Sequence, residues 1–156
     1  MHAPASLDNL SLQWQQFLKT LDIVAVCDPA DHISGMHSVY VLEITIDSSK
    51  SWLYVGRSGQ KRIQSRLQQH KSEFLNCKTT TRVGKSSIYQ PENFKDAKCV
   101  LLSLRVLVGG LDLDSAKRIE SELCHSYREM FGSIVLTQTK KSVNLRQIQT
   151  TQQEAL

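Results

Sequence analysis

The chain has 156 residues, of which 40% are hydrophobic and 22% are charged. This length and composition are typical of one globular domain with its own core, and no apolar run approaches the ~20 residues that a membrane span requires. The N-terminus has no basic segment followed by an apolar one, so we expect a cytoplasmic chain with no secretory signal and no membrane partner. The four Cys residues are widely spaced, which favours free thiols.

Charge is distributed unevenly along the chain. Residues 37–148 carry 18 Lys and Arg against 10 Asp and Glu, a net charge of +8, whereas residues 1–36 and 149–156 are acidic. A basic centre of this kind indicates a polyanionic partner such as a nucleic acid, or a solvated basic surface with no partner.

Hydrophobic periodicity predicts the first elements in chain order. We expect a helix over residues 6–20, followed by a loop over 27–37 that is rich in turn formers. The β-branched and aromatic runs at 38–46 and 52–56 flank a short polar turn. Two such runs predict an antiparallel hairpin.

The second half of the chain is expected to supply two long helices and one strand. Residues 60–75 and 113–131 carry apolar stripes at helical spacing, while residues 99–109 are apolar almost throughout and predict a central strand. The order β-β-α-β-α predicts an α+β fold. It would contain a small mixed or antiparallel three-stranded sheet with a β-hairpin, flanked by helices, plus the N-terminal helix.

Residues whose side chains could take part in catalysis lie on the hairpin and on the helix after it. Tyr40 and Tyr54 belong to the paired strands, where they can face the same side. Arg62, Arg66 and His70 follow at intervals of four residues, which predicts one flank of the helix. Each has an ordinary structural interpretation when taken alone, since tyrosine favours strands and a histidine can simply lie at the surface.

The last helix places a carboxylate beside its apolar stripe. At 100° per residue, Glu120 lies at the edge of that stripe, where a charged group needs a partner. A metal ion is one such partner, and Lys117 or Arg118 on the same helix is another.

In combination, these residues resemble the GIY-YIG nuclease family. The matching segments cover residues 38–146 and occur in the family's order: Val39–Val41 (GIY), Tyr54–Gly56 (YIG), Arg66 with His70, Ala116–Glu120 (A-x-x-x-E) and Ser142–Asn144. The first element lacks its Gly. Arg66 lies about two residues farther from Tyr54 than is usual in the family, so Arg62 is an alternative for the arginine role.

The resemblance implies a metal-dependent endonuclease that hydrolyses DNA phosphodiester bonds with a single metal ion. Glu120 would hold Mg²⁺ (or Mn²⁺), and Arg66 would bind the scissile phosphate. Arg57 would add a second positive charge, and Asn144 would brace the site or contact DNA.

The resemblance also implies a tyrosine as general base. We expect Tyr54 to take the proton of the attacking water, assisted by His70, while Tyr40 orients the water or the phosphate. Family members differ on which tyrosine is the base, so the exchanged assignment is the alternative.

The implied partner is double-stranded DNA. Lys78, Arg82 and Lys85 form a basic loop that, with Arg62, is expected to contact the DNA backbone, although a solvated loop is the alternative. A chain of this size resembles stand-alone restriction-type or phage-type members. A homodimer is then one expected assembly, because a double-strand cut needs two sites.

These expectations divide the chain into three parts. Residues 1–36 would be a helical extension with a loop, residues 37–148 the GIY-YIG-like catalytic domain, and residues 149–156 a flexible tail. A catalytically inactive nucleic-acid-binding module with the same fold is the alternative function.

Overall fold

The computed structural model describes residues 2–7, 10–29, 32–78 and 87–136. The helices are α1 (Ser11–Leu18), α2 (Ile63–Leu75) and α3 (Leu113–Phe131), and the strands are β1 (Asp22–Asp28), β2 (His37–Ile46), β3 (Lys50–Ser58) and β4 (Cys99–Leu111). Two short 3-10 segments span Pro91–Phe94 and Gly132–Ile134. The predicted hairpin, the central strand and both long helices are confirmed.

The sheet has four strands in the order β1-β4-β2-β3, so the prediction of three strands was wrong. The additional strand, β1, runs parallel to β4 from the pair Asp22↔Cys99 to the pair Asp28↔Arg105. It overlaps the start of the predicted loop over 27–37. Being an edge strand, β1 buries only one face, and its seven residues therefore give a weak periodic signal in the sequence.

The N-terminal helix is shorter than the predicted range of 6–20. It begins at Ser11 and ends at Leu18, and no side-chain hydrogen bond caps it. Leu7 and Leu10 pack against the core from the segment before the helix. These two residues therefore do contribute to the core, but they belong to an irregular segment and not to a helical stripe.

The two faces of the sheet support different cores. On one face, α1 and α2 enclose a large cluster that includes Trp14, Phe74 and the two hairpin tyrosines. On the other face, α3 packs through Ala116 against Val39 and Val55. Since side chains alternate along a strand, Tyr54 and Arg57 of β3 project towards opposite faces.

The predicted boundary after residue 36 stays a prediction. Residues of α1 and β1 belong to the same core and sheet as the hairpin, and the predicted tail over 149–156 lies outside the described residues. None of the described helices combines the length and the apolarity that crossing a bilayer requires.

Candidate active site

The hairpin brings the two tyrosines together. Tyr40 on β2 pairs with Gly56 on β3, and Tyr54 is opposite Leu42, so the tyrosines lie diagonally across the hairpin. Their ring centroids are 6.4 Å apart. Tyr40 is fully buried, whereas Tyr54 has a relative solvent accessibility of 9%.

Gly56 makes room for both rings. A Cβ atom at this position would lie 2.6 Å from the Tyr40 hydroxyl oxygen and 2.6 Å from Cε1 of Tyr54. Both rings are held in the core, so neither can move aside cheaply. Position 56 therefore requires a glycine, because a side chain there would collide with both tyrosine rings.

We expect Gly56→Ala to displace the Tyr40 hydroxyl and to destabilise the fold by about 1–3 kcal/mol, the usual range for an overpacked core. Urea unfolding of the variant measures this change. In a double-mutant cycle with Tyr40→Phe, the two destabilisations should be less than additive, because Phe lacks the hydroxyl oxygen, one of the three atoms that the new methyl group meets. Additive free energies would show that the clash with the hydroxyl is not the cause.

Helix α2 supplies two partners for the Tyr40 hydroxyl. Nε of Arg66 donates a hydrogen bond to this oxygen at 3.0 Å, and Nε2 of His70 lies 2.6 Å from it. Because a guanidinium can only donate, the hydroxyl oxygen is the acceptor towards Arg66. In the imidazole tautomer that carries its proton on Nδ1, Nε2 accepts a hydrogen bond from the hydroxyl.

Burial and nearby charge keep this cluster neutral apart from Arg66. Burial, assisted by the positive charge of Arg66, lowers the pKa of His70 from its ordinary 6.5 to about 3. Burial also raises the pKa of Tyr40, and the charges of Tyr54 and Glu120 raise it further, while Arg66 opposes the change. A neutral imidazole therefore lies beside a neutral phenol at physiological pH.

The lowered pKa of His70 predicts that the fold loses stability in acid. Above pH 6.5 the imidazole is neutral in both states and costs nothing, but between pH 6.5 and about 3 only the unfolded chain binds the proton. The cost grows by about 1.4 kcal/mol per pH unit and reaches roughly 2 kcal/mol at pH 5. His70→Gln should remove this dependence in urea unfolding at pH 7 and pH 5.

A matched control for this measurement is His125→Gln, which removes a half-buried histidine of α3 that lies outside the cluster and pairs with Glu129. That variant should keep the pH dependence of the wild type. Equal loss of stability between pH 7 and pH 5 in the wild type and in His70→Gln would contradict a neutral, buried His70.

Helix α3 contributes the carboxylate. Its N-cap Asp112 accepts a hydrogen bond from the backbone N–H of Ser115, and the helix continues past Glu120 along the sheet. The Glu120 side chain is 16% exposed, and its Oε2 lies 3.8 Å from Nε of Arg57 on β3. Of the groups that act on the pKa of Tyr40, Glu120 has the smallest effect, and it raises that pKa.

The donor atoms fit a magnesium ion better than a metal that needs several protein ligands. The described residues include no group of three or more His, Cys, Asp or Glu side chains arranged to hold a metal. Mg²⁺ keeps several waters and commonly takes one or two carboxylates, with further oxygens from a phosphate. Glu120 is a single, partly shielded carboxylate of this kind, and Arg57 beside it would compete with a metal for its charge.

The structure distinguishes between the two candidate arginines. Arg66 is in the cluster, whereas Arg62 is the exposed, extended residue before α2 and has backbone angles of φ −118° and ψ 123°. Lys78 lies exposed after the same helix. The remaining predicted contacts, Arg82, Lys85 and Asn144, lie outside the described residues.

Two neighbours of the cluster were not expected from the sequence. Gln69 accepts a hydrogen bond from Nη1 of Arg66 at 2.9 Å. Glu73 lies 3.7 Å from both Nη1 of Arg66 and Nδ1 of His70. Glu73 follows His70 by three residues and Arg66 by seven, a helical spacing that could have identified it.

Comparison of the chain with models of protein families, with curated proteins and with solved structures finds no match in any of the three. The resemblance to the GIY-YIG family therefore rests on the residues and on their order along the chain.

Proposed function

We propose that the chain is a metal-dependent DNA endonuclease of the GIY-YIG type. The observation that carries this proposal is the Tyr40 hydroxyl, held between Arg66 and His70, with Glu120 beside Arg57 on the other face of the same hairpin. These groups come from three elements that are distant in sequence. Together they offer a phosphate ligand, a proton acceptor and a metal carboxylate, the parts that phosphodiester hydrolysis requires.

Arg66 is the proposed ligand of the scissile phosphate. Its side chain is 20% exposed, so one edge of the guanidinium reaches solvent while Nε is anchored on Tyr40. A planar fork can donate to two phosphate oxygens at once, which fixes the direction of the phosphate as well as its position.

The hydrogen bonds favour Tyr40 rather than Tyr54 as the base. In the proposed step, the hydroxyl oxygen of Tyr40 accepts a proton from the attacking water as its own proton passes to Nε2 of His70. No phenolate has to form beforehand, which matters because burial raises the pKa of Tyr40. Tyr54, whose ring lies 5.4 Å from the His70 ring, would orient the water or the phosphate.

Glu120 and Arg57 serve the other side of the phosphate in this proposal. A Mg²⁺ or Mn²⁺ ion held by Glu120 would supply Lewis-acid charge beside the leaving oxygen. Arg57, 35% exposed beside this carboxylate, adds a positive charge for the phosphate oxygens. Since β3 ends the sheet, we propose that the phosphate lies across its outer edge, between the Tyr40 side and the Glu120 side.

One observation favours the alternative of an inactive nucleic-acid-binding module. Arg57 neutralises Glu120 within the protein, as expected of a carboxylate that never meets a metal. Incubation with double-stranded and branched DNA substrates, with and without Mg²⁺, separates the two functions. An endonuclease cuts in Mg²⁺ and only binds in its absence, whereas a binding module retains the same intact DNA in both conditions.

We expect binding to DNA without metal to weaken steeply with salt, because the basic segment 37–148 displaces counterions. For about four neutralised phosphates, the affinity should fall about 10²-fold between about 50 and 200 mM salt. Fluorescence anisotropy of a labelled duplex measures it. Lys78→Gln should reduce the slope, and Lys19→Gln, outside the basic segment, should not. A salt-independent affinity would contradict DNA as the partner.

A homodimer, expected because a double-strand cut needs two sites, stays a prediction.

A further inference from the structure

We infer that Glu73 is a positioning residue that completes a Tyr40–His70–Glu73 relay by holding the imidazole with Nδ1–H towards its carboxylate and Nε2 towards Tyr40. This inference rests on the proposed function and adds a residue to that site. It assigns a role to a carboxylate that belongs to none of the motifs in the sequence.

Glu73 and Tyr40 lie near different nitrogens of the His70 ring. Oε2 of Glu73 lies 3.7 Å from Nδ1, and Nε2 on the opposite side of the ring lies 2.6 Å from the tyrosine hydroxyl. Oε2 is buried and has no hydrogen-bond partner among the described residues. Burying a carboxylate oxygen without a partner destabilises the fold. The distance from Nδ1 to Oε2 exceeds that of a hydrogen bond by less than one ångström.

The charges around His70 explain why a carboxylate is needed there. When the tyrosine proton reaches Nε2, the ring becomes an imidazolium carrying protons on both nitrogens. The groups that face it are Tyr40 from β2, Tyr54 from β3, and Arg66 and Glu73 from α2 itself. Arg66 opposes the new positive charge, and Glu73 is the anion placed to stabilise it.

DNA binding would make protonation of His70 more favourable. A phosphate on Arg66 compensates the charge that disfavours protonated His70, and it draws the guanidinium away from Oε1 of Glu73, 3.7 Å away. The carboxylate is then left to face the imidazole. Burial raises the pKa of Glu73, and the positive charge of Arg66 opposes this increase.

Glu73→Gln is the main test, because it keeps the size of the side chain and removes its charge. We expect the single-turnover cleavage rate to fall on the order of 10- to 10²-fold, as when a carboxylate that orients a metal-binding histidine is removed. The acidic limb of the pH–rate profile should also move to lower pH, because an imidazolium without its carboxylate releases its proton more readily. Damage to the fold alone would lower the rate without moving that limb.

The matched control is Glu122→Gln, an equal change of charge at an exposed carboxylate of α3 that pairs only loosely with Arg118 at 3.7 Å. It should leave both the rate and the pH profile unchanged. The affinity for DNA without metal should be equal to or higher in Glu73→Gln than in the wild type, because the variant removes a negative charge beside Arg66.

A second measurement does not depend on cleavage. Proton–nitrogen NMR of the histidine rings, with His70→Gln used to assign the signal, reports the Nδ1–H of His70 in the protein alone. In Glu73→Ala this signal should move upfield and exchange faster with water, because the carboxylate that shields it has gone.

The outcomes separate the two levels of the proposal. A changed ring signal together with a displaced pH profile supports the relay. An unchanged ring signal in Glu73→Ala overturns it, as does an unchanged rate and profile in Glu73→Gln when the wild type cuts DNA. If the ring signal changes but the wild type cuts no DNA, the proposed nuclease function is overturned, together with the relay as a catalytic device, and only the contact between Glu73 and His70 survives.

Discussion

Replacement of Glu120 by Gln is expected to lower the rate of DNA cleavage by at least about 10³-fold, below detection in most assays. Gln keeps the shape of the side chain but loses the charge that would hold the metal, whose stabilisation of the transition state amounts to several kcal/mol. Single-turnover cleavage of labelled DNA in Mg²⁺ measures the loss. The side chain is 16% exposed and its ion pair with Arg57 is long, at 3.8 Å, so the free energy of unfolding should change by less than about 1 kcal/mol.

DNA binding distinguishes loss of chemistry from loss of the site. Glu120→Gln removes one negative charge beside the proposed phosphate position, so its affinity for DNA without metal should be equal to or higher than that of the wild type. Glu122→Gln, on the exposed side of the same helix, is the matched control and should cut at the wild-type rate. Full activity of Glu120→Gln would remove Glu120 from the site.

Tyr40→Phe is expected to reduce the rate on the order of 10²- to 10⁴-fold, the range of general acid–base catalysis. Phe keeps the ring in the core but removes the oxygen that would take the water's proton. The substitution also leaves Nε of Arg66 and Nε2 of His70 without their shared partner, at a cost of about 1–3 kcal/mol in stability. Rates must therefore be compared where circular dichroism shows both proteins folded.

The matched variant is Tyr54→Phe, which makes the same change at the neighbouring ring. It should cost less, because an orienting hydrogen bond is only part of the barrier. If Tyr54→Phe is the inactive variant and Tyr40→Phe cuts well, the base is Tyr54, as the sequence first led us to expect. Full rates in both variants would exclude a tyrosine as the base.

Much of the fold could be predicted because its elements have strong local patterns. The hairpin follows from two β-branched runs around a polar turn, and its pairing alone predicts that Tyr40 and Tyr54 approach each other. The limits of α3 match the predicted range of 113–131 because its apolar stripe is regular and Gly132, with φ of 69°, follows it. Edge strand β1 was missed, since its pairing with β4 is a long-range contact that local periodicity does not reveal.

The site was less predictable because it depends on where one helix begins. Extending the helical spacing backwards grouped Arg62 with Arg66 and His70, but α2 starts at Ile63 and leaves Arg62 in extended backbone. Which tyrosine bonds to His70 depends on how α2 packs on the sheet, and a spacing rule cannot supply that. The same packing brings Glu73 close to His70, a contact that can be identified only from the three-dimensional structure.

Conversion of supercoiled plasmid to nicked and linear forms tests most directly whether the cluster around Tyr40 cuts DNA. A plasmid offers many sequences and some structured sites at once, so the test does not require knowledge of the specificity. We predict conversion by the wild type in Mg²⁺, none in EDTA, and none by Glu120→Gln purified in the same way. An intact plasmid after incubation with the wild type in Mg²⁺, or equal conversion by Glu120→Gln, would contradict this account.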